Sequence, residues 1–162
     1  MTMRRNDVLA LLEGEGIPYE LAEHPAVYTI GEMEALGLPF QDRVVKNLFL
    51  RDDKKRNYYL LTLREDRRAD LKALRQTLGS RPLTFASEAD LQALLGLEKG
   101  SVTPFGLLND TDHRVRLLLD GAFRDGSIAV HPNENTATVC LRTADLLTLL
   151  RRRDVSAEYI DL

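Results

Sequence analysis

Apolar and polar residues alternate along eight short segments of the chain, which is the pattern of β-strands with one buried face. These segments are residues 19–24, 44–52, 57–65, 82–85, 115–120, 127–132, 136–141 and 156–162. The polar sequence DDKKRN, residues 52–57, joins the second and third of them and predicts a hairpin turn. The pattern therefore predicts a protein rich in short strands.

Other segments place apolar residues three and four positions apart, which is the spacing of helices that bury one face. These predicted helices are residues 5–15, 30–37, 69–79 and 88–96, and one that begins at Thr143 and runs into Arg151–Arg153. Asn6, Thr29 and Ser87 are the predicted N-caps of three helices. Glu32 stands three residues after Thr29, the spacing of a capping box.

The order of these elements predicts the fold class. Helices and strands are mixed without a regular strand-helix-strand repeat, which disfavours a doubly wound parallel sheet. We expect an α/β fold of the α+β type, with a mixed, curved, barrel-like sheet and surrounding helices. At 162 residues and 44% hydrophobic composition, the chain has the size of a single domain over residues 1–162.

Composition narrows the compartment and the partners. No stretch approaches the ~18 apolar residues that span a membrane, and no small-residue cleavage site follows the first helix. With Cys140 as the single cysteine, we predict a cytoplasmic protein without disulfides, and no membrane partner. The formal net charge of -3 argues against a protein that coats DNA or RNA, although a local phosphate site is compatible with it.

The strand VVKNLFL, residues 44–50, carries a lysine among apolar neighbours. Alternation places Lys46 in the same row as Val44 and Leu48, with Asn47 on the opposite face. Burying an unpaired charge is costly, so such a lysine is paired, lies at a strand end, or points into a pocket that receives an anion. Alternatively, Lys46 is an edge-strand lysine that protects against aggregation.

Two loops carry further polar groups at the ends of apolar segments. In the first, Gly100 and Pro104 enclose Ser101, Val102 and Thr103 in a GxxxP pattern that can present backbone N–H groups to an anion or carbonyl oxygen. In the second, His131 begins the hairpin tip HPNEN. Each loop alone can also be an ordinary turn, and only their combination with Lys46 favours a site.

Several familiar sites are absent from the sequence. It contains no GxxxxGK[ST] phosphate loop, no GxGxxG after a strand and no GxSxG nucleophile motif. The three histidines, at positions 24, 113 and 131, lie far apart and form no HExxH motif. We therefore predict neither a metal nor another cofactor.

Three motifs in this order resemble one known family. VVKNLFL, the GSVTP loop and AVHPN are similar to the YbaK-like aminoacyl-tRNA deacylases, which include the editing domain inserted in bacterial prolyl-tRNA synthetase. The sequence EHPAVYTIGEMEAL, residues 23–36, resembles the free-standing branch of the family that is often called ProX or PrdX. The resemblance covers nearly the whole chain, from about Asn6 to Leu150.

The resemblance implies a role for each motif. Lys46 is expected to hold the phosphate or terminal adenosine of the tRNA 3′ end, and His131 to orient water or the substrate. Asn47 either contributes to the site through a bulge in its strand or supports it from behind. Gly100, Ser101, Val102, Thr103 and Pro104 match the loop that wraps the aminoacyl group, and Ile30, Met33 and Leu36 are candidate pocket walls. His24 and Tyr28 belong to the N-terminal resemblance, with packing or pocket-wall roles.

The family's reaction implies the substrate. A pocket built for proline rejects alanine by only ~1 to 3 kcal/mol, so a second and smaller pocket is needed to remove the error. The resemblance therefore implies metal-independent deacylation of alanyl-tRNA(Pro), with prolyl-tRNA synthetase as a candidate partner. Cysteinyl-tRNA(Pro) is the nearest alternative substrate, and a non-catalytic module that binds tRNA ends or a synthetase is the alternative from another class.

Overall fold

The computed structural model describes residues 2–161, which form five α-helices and eight β-strands. The helices are α1 (Arg5–Gly14), α2 (Ile30–Ala35), α3 (Leu71–Leu78), α4 (Glu88–Leu95) and α5 (Thr143–Arg151). The strands are β1 (Tyr19–Glu23), β2 (Val45–Asp52), β3 (Tyr58–Arg64), β4 (Leu83–Phe85), β5 (Val115–Asp120), β6 (Ser127–Val130), β7 (Ala137–Arg142) and β8 (Ala157–Ile160). Short 3₁₀ helices lie at Gln41–Arg43, Pro104–Asn109 and Gly121–Phe123.

The predicted helices and strands are all present, with boundaries that differ by a few residues. Thr29 and Ser87 cap α2 and α4 as predicted, each accepting a backbone N–H three residues on. Asn6 was the wrong N-cap for α1, because Arg4 occupies that position and its N–H donates to Asp7 Oδ2 at 2.9 Å. The last residue of the predicted strand 156–162 lies outside the described residues. The sequence pattern did not predict the three 3₁₀ helices.

The strands form two sheets. The smaller is antiparallel with the order β1-β7-β6, and the larger is mixed with the order β4-β2-β3-β5-β8. In the larger sheet β3-β5 and β5-β8 pair in parallel, while β2 pairs antiparallel with β3 and β4. The α+β class and the mixed sheet are thus confirmed.

The expected single barrel-like sheet is corrected by this topology. A bridge between Val44 and Ala129 is the contact between the sheets at the start of β2. The strand pairing does not continue from this bridge around a closed barrel, because β4, with three residues, and β8, with four, end the larger sheet at its two edges. The two sheets therefore meet at this bridge and do not enclose a common axis. The place where they meet is open to a ligand.

Both faces of the larger sheet are buried, which explains the nearly continuous apolar runs of β3 and β5. On one face Leu60 packs with the helices α1, α4 and α5 in the main core. On the other face Leu61 packs beneath α3, whose Leu74 is buried against it. A third cluster of Val27, Met33, Phe40, Val44 and Ala129 fills the space where the two sheets meet. In residues 2–161, no helix is long and apolar enough to cross a membrane.

Candidate active-site cleft

A cleft of about 300 Å³ opens above the place where the two sheets meet. Its wall is built from β2, from the ends of β6 and β7, from the segment around α2, and from the loop that follows α4. The lining residues are Val27, Tyr28, Thr29, Ile30, Met33, Val44, Val45, Lys46, Asn47, Lys99, Gly100, Val102, Ala129, Val130, His131 and Thr138. The three motifs singled out in the sequence therefore share one cavity.

Lys46 occupies the wall of this cleft near the start of β2. Its strand neighbours on the same face are buried Val44 and half-buried Leu48, so the ammonium group does lie in an apolar row. Among residues 2–161, no carboxylate forms an ion pair with Lys46. The side chain is thus half-buried and presents an uncompensated positive charge to the cavity.

Asn47 faces the opposite side of β2 and holds the glycine-proline loop. The pairing of β2 with β3 runs without interruption from Val45 to Arg51, so the strand has no bulge at this point. Asn47 Nδ2 donates to the carbonyl oxygen of Val102 at 3.0 Å, and Asn47 Oδ1 accepts from the Thr62 hydroxyl at 2.6 Å. Of the two arrangements that the sequence left open, the bulge is absent, and Asn47 supports the glycine-proline loop while it also borders the cleft.

The loop of residues 100–104 divides its residues between the cleft and the core. Gly100 and Val102 line the cavity, whereas Ser101, Thr103 and Pro104 are buried beside it. Gly100 has φ +91, and a Cβ built there would lie 2.8 Å from Tyr28 Cδ1, so a side chain is excluded by strain and by contact.

The buried part of the loop is anchored by hydrogen bonds. The Ser101 N–H donates to Glu98 O at 3.0 Å, so this donor is already used within the protein. The Thr103 hydroxyl donates to the carbonyl oxygen of His131 at 2.6 Å. This last bond connects the glycine-proline loop directly to the histidine hairpin.

His131 lies at the end of β6 with its imidazole in the cleft wall. Its Nδ1 is 2.8 Å from the carbonyl oxygen of Ala137, which can only accept a hydrogen bond, so Nδ1 carries the proton. Burial lowers the pKa of His131 below its usual value of 6.5, and the neighbouring His24 lowers it further, while the bond to Ala137 partly opposes them. The ring is therefore neutral at pH 7, with Nε2 as a hydrogen-bond acceptor.

The segment from Tyr28 to α2 forms the outer wall. Ile30 and Met33 line the cleft as expected from the sequence, and Leu36 packs against the cluster beneath it. Tyr28 is 67% exposed at the mouth of the cleft and contacts Gly100. The outer wall thus combines an apolar inner part with an exposed aromatic ring.

Sequence reasoning did not single out Thr62, Lys99 or Thr138 for the site. Thr62 and Thr138 are buried polar residues inside apolar strands, a signal that alternation alone can provide. Their partners Asn47 and His24 follow only from the register of the strands and the meeting of the sheets. Lys99 also lines the cleft, and it lies in the loop directly before Gly100. In residues 2–161, no three His, Cys, Asp or Glu side chains converge as metal ligands would.

Comparisons with known proteins agree with this geometry. The family model described as the aminoacyl-tRNA editing domain matches residues 24–149. The prolyl-tRNA editing protein ProX of Acetoanaerobium sticklandii is 45% identical over 156 residues, covering 96% of this chain and 95% of that protein. The prolyl-tRNA synthetase associated domain-containing protein 1 of Bos taurus is 39% identical over 137 residues, covering 82% of this chain and 80% of that protein.

A solved structure shows the same fold. A protein described as a candidate trans-editing enzyme for prolyl-tRNA synthetase superimposes with a TM-score of 0.71 at 24% identity, over 96% of this chain and 93% of that one. Together with the sequence relatives, it confirms the resemblance to the YbaK-like deacylases and their free-standing branch. The chain belongs to the aminoacyl-tRNA editing domain family, whose reaction is the hydrolysis of the ester between an amino acid and its tRNA.

Proposed function

We propose that this chain is a free-standing, trans-acting editing enzyme that removes alanine from mischarged alanyl-tRNA(Pro). The observation that carries the proposal is the unpaired ammonium of Lys46 in a cleft shared with the glycine loop and a neutral imidazole. A phosphate of the tRNA 3′ end supplies the missing counter-charge, which places the ester beside the loop and the histidine. The name of the ProX relative, a prolyl-tRNA editing protein, supports tRNA(Pro) as the carrier.

The reaction needs one positioned water molecule and no covalent intermediate. The water oxygen forms a bond with the ester carbonyl carbon, the ester C–O bond breaks, and the ribose oxygen leaves with a proton to give alanine and free tRNA. An aminoacyl ester is already activated, so orientation and stabilisation of the developing negative charge are the main requirements. The backbone around Gly100 and Val102 lines the cavity and is the candidate group for the second role.

The apolar wall of the cleft selects alanine over proline. Ile30 and Met33 face the cleft from α2, and Ala129 lies at its base. A methyl group fits against such a wall, whereas the ring of proline requires additional volume. Cysteine differs from alanine by one sulfur atom, so cysteinyl-tRNA(Pro) is the second candidate substrate for the same wall.

A deacylation assay with the purified protein and alanyl-, cysteinyl- and prolyl-tRNA(Pro) tests the function. We expect rapid release of alanine and little release of proline. Rapid release of cysteine with slow release of alanine would identify cysteinyl-tRNA(Pro) as the preferred substrate. No release from any of the three, with tight tRNA binding, would indicate the non-catalytic module instead.

Lys46 is tested in the same assay. Lys46→Ala should lose nearly all activity, and Lys46→Met, which keeps the apolar stem, should lose about 10- to 100-fold in kcat/KM because only the charge is removed. Lys54→Met, in the exposed β2-β3 turn, is the matched control and should keep full activity. Wild-type activity in Lys46→Met would show that the charge of Lys46 has no part in the mechanism.

Metal-independence and partners are separate parts of the proposal. We expect a chelator to leave the rate unchanged, whereas inhibition that added zinc reverses would contradict a metal-free reaction. Addition of prolyl-tRNA synthetase tests it as a partner, with a lower KM for alanyl-tRNA(Pro) as the expected result. A KM that does not change would assign substrate capture to this chain alone.

A further inference from the structure

Two histidines that are remote in sequence lie side by side, and one of them, His131, lines the cleft. His24 follows β1 and His131 follows β6, and their ring centroids are 6.0 Å apart. Thr138 of β7 lies between them, with a side chain that is only 1% exposed. The backbone holds this arrangement as well, since the His24 N–H donates to the carbonyl oxygen of Thr136 at 3.0 Å.

The hydrogen bonds of the three side chains have one consistent direction. His24 Nδ1 is 2.9 Å from the carbonyl oxygen of Pro25, so this nitrogen carries the proton and His24 Nε2 is an acceptor in the neutral ring. Thr138 Oγ1 lies 2.8 Å from His24 Nε2 and therefore donates its hydroxyl proton to it.

The oxygen of Thr138 remains available as an acceptor on its other side. It lies 3.4 Å from His131 Nδ1, whose proton is shared with the carbonyl oxygen of Ala137 at 2.8 Å. One placement of protons satisfies all of these contacts. His131 Nδ1–H donates to Thr138 Oγ1, and the Thr138 hydroxyl donates to His24 Nε2. The arrangement leaves His131 Nε2 without a hydrogen-bond partner among residues 2–161.

We propose that Thr138 and His24 are positioning residues that, together with the carbonyl oxygen of Ala137, hold the Nδ1–H side of His131 against the protein, so that its Nε2 accepts a proton from the attacking water. This inference rests on the proposed function. In the reaction, the water proton moves to Nε2 as the water oxygen bonds to the carbonyl carbon, and Nε2 returns it to the ribose oxygen as the ester C–O bond breaks. The transient positive charge on the ring is stabilised at Nδ1–H by Ala137 O and Thr138 Oγ1.

The surroundings of His131 agree with a proton acceptor. Its pKa is lowered by burial, so the ring is neutral and able to take a proton at pH 7. The Nδ1 side of the ring contacts Ala137 O and Thr138 Oγ1, and the residue lines the cleft. A purely structural role for the three side chains would hold the hairpin in place but would not require one tautomer.

Nitrogen NMR and steady-state kinetics on Thr138 variants test the inference. In the ¹⁵N spectrum of the wild-type protein without tRNA, His131 should show a protonated Nδ1 and an unprotonated Nε2 at neutral pH. Thr138→Val keeps the shape and removes the hydroxyl; Nδ1 stays protonated because Ala137 O still accepts from it, but the His131 nitrogen resonances should shift and kcat should fall by about three- to tenfold with KM unchanged. Thr138→Ser restores the hydroxyl and should restore both values.

Further variants and a control complete the test. His24→Phe removes the terminal acceptor and should act in the same direction as Thr138→Val, which keeps the inference testable if one variant is unstable. Thr77→Val, on the exposed surface of α3, should change neither readout. The inference is overturned by a wild-type Nε2–H tautomer, or by a Thr138→Val enzyme that loses kcat without any change in the His131 nitrogen shifts. A wild-type enzyme with no deacylase activity would overturn the proposed function, whatever the tautomer.

Discussion

Adjacent residues of β2 have different tasks because a strand sends successive side chains to opposite faces. Lys46 presents its charge to the cleft, while Asn47 binds the loop backbone at Val102 and the hydroxyl of Thr62. The contact with the loop brings together residues that are 55 positions apart in sequence. The motif Lys-Asn thus combines a charge that lines the cleft with support for a second segment that lines it.

Asn47 and Thr62 should be thermodynamically coupled. Asn47→Ala and Thr62→Val each break the 2.6 Å hydrogen bond, and each should destabilise the fold by about 1 to 3 kcal/mol because a buried polar partner is left unsatisfied. The double variant should cost less than the sum, which denaturant unfolding of the four proteins measures. Strict additivity would show that the two side chains act independently.

Gly100 is a residue for which backbone freedom and close approach are both required. Gly100→Ala should cost about 1 to 2 kcal/mol through its positive φ and should also displace the ring of Tyr28, lowering kcat/KM at least severalfold. Gly79→Ala is the matched control, since Gly79 has φ +62 but open space at its Cβ position and lies at the end of α3.

The comparison of the two glycine variants separates strain from contact. Both should lose similar stability in thermal unfolding, and only the Gly100 variant should lose activity. Equal activity in the two variants would contradict the close contact between the loop and Tyr28.

The activity should depend on pH through His131. Because burial lowers the pKa of His131, the ring becomes protonated only below its usual value of 6.5. The value of kcat/KM should therefore be constant around pH 7 and fall on acidification, with a midpoint below 6.5 that the pH profile of kcat/KM measures. On acidification a protonated His24 ring would repel a charge on His131, so His24→Phe should raise the midpoint by removing this repulsion. A rate that rises on acidification would exclude His131 as the proton acceptor.

The residues of the site could be predicted to different extents. Lys46 is visible in the sequence because a charge interrupts an apolar row, and Gly100 and His131 are visible because they lie at loop ends. Thr138 looks like any threonine of a strand, and its contact with His24 depends on the pairing of β1 with β7, 114 positions apart. Local patterns therefore find groups that line the cleft, and only the tertiary structure finds the groups that hold them.

Among the elements, the β2-β3 hairpin is organised by one buried carboxylate. Asp52 is 0% exposed, and its oxygens accept from the backbone N–H groups of Lys54 and Arg56 and from Asn57 Nδ2. Burial alone would raise the pKa of Asp52, but these hydrogen bonds to the ionised form outweigh it and leave the pKa below its usual value. The sequence DDKKRN predicted the turn, and the structure shows why its first residue is an aspartate.

The hairpin predicts a dependence of stability on pH. A carboxyl group whose pKa is lower in the folded state stabilises the fold above its unfolded pKa, and this contribution is lost as the pH falls through the folded pKa. Asp52→Asn, which cannot ionise and opposes Asn57 Nδ2 with a second amide, should lower the midpoint of thermal unfolding at pH 7 by about 2 to 6 °C. The gap between variant and wild type should narrow below about pH 4, and a gap that is constant with pH would contradict the account.

Element boundaries were predictable where local chemistry sets them. Thr29 and Ser87 cap their helices through side-chain oxygens, and Gly79 and Gly96 end α3 and α4 with left-handed backbone. The 3₁₀ helix at Pro104–Asn109 was not predicted, because its apolar residues have no period that distinguishes it from an extended segment. Its position is set instead by burial of Phe105 and Leu107 in the main core.

At the scale of the whole molecule, the fold requires more of the chain than the family model matches. That model spans residues 24–149, which leaves out α1, β1 and β8. β1 pairs along its full length with β7, and Val8 and Leu12 of α1 are completely buried in the main core. The N-terminal segment also contacts the histidine hairpin, since Asn133 Nδ2 donates to the carbonyl oxygen of Met3 at 3.0 Å.

We expect residues 1–162 to behave as a single cooperative domain. A fragment limited to residues 24–149 should be unfolded, because it exposes the face that α1 covers and lacks edge strands of both sheets. Circular dichroism and amide NMR spectra of the fragment and the full chain measure this difference. A folded fragment with a cooperative transition would show that the outer segments are additions to a smaller domain.

The arrangement of the two sheets was beyond the reach of the sequence pattern. Alternation identifies each strand, but it does not show whether β6 pairs with β7 in a separate sheet or continues the larger sheet beside β2. The observed choice depends on contacts between remote segments, such as the packing of α5 against β6, β7 and β8. A mixed sheet was therefore predictable, whereas its division in two was not.

The bridge from Val44 to Ala129 has a consequence for substrate size. Within the described residues, main-chain pairing joins the two sheets at this bridge, so the separation of the sheets depends on the side chains packed beneath the cleft, among them Met33, Phe40 and Ala129. If the cleft holds the aminoacyl group as proposed, a bulkier residue at the 1% exposed Ala129 would change the width of the cleft while leaving Lys46 and His131 intact. The packing of the hydrophobic core beneath the cleft thus sets the size of the largest amino acid that this protein admits.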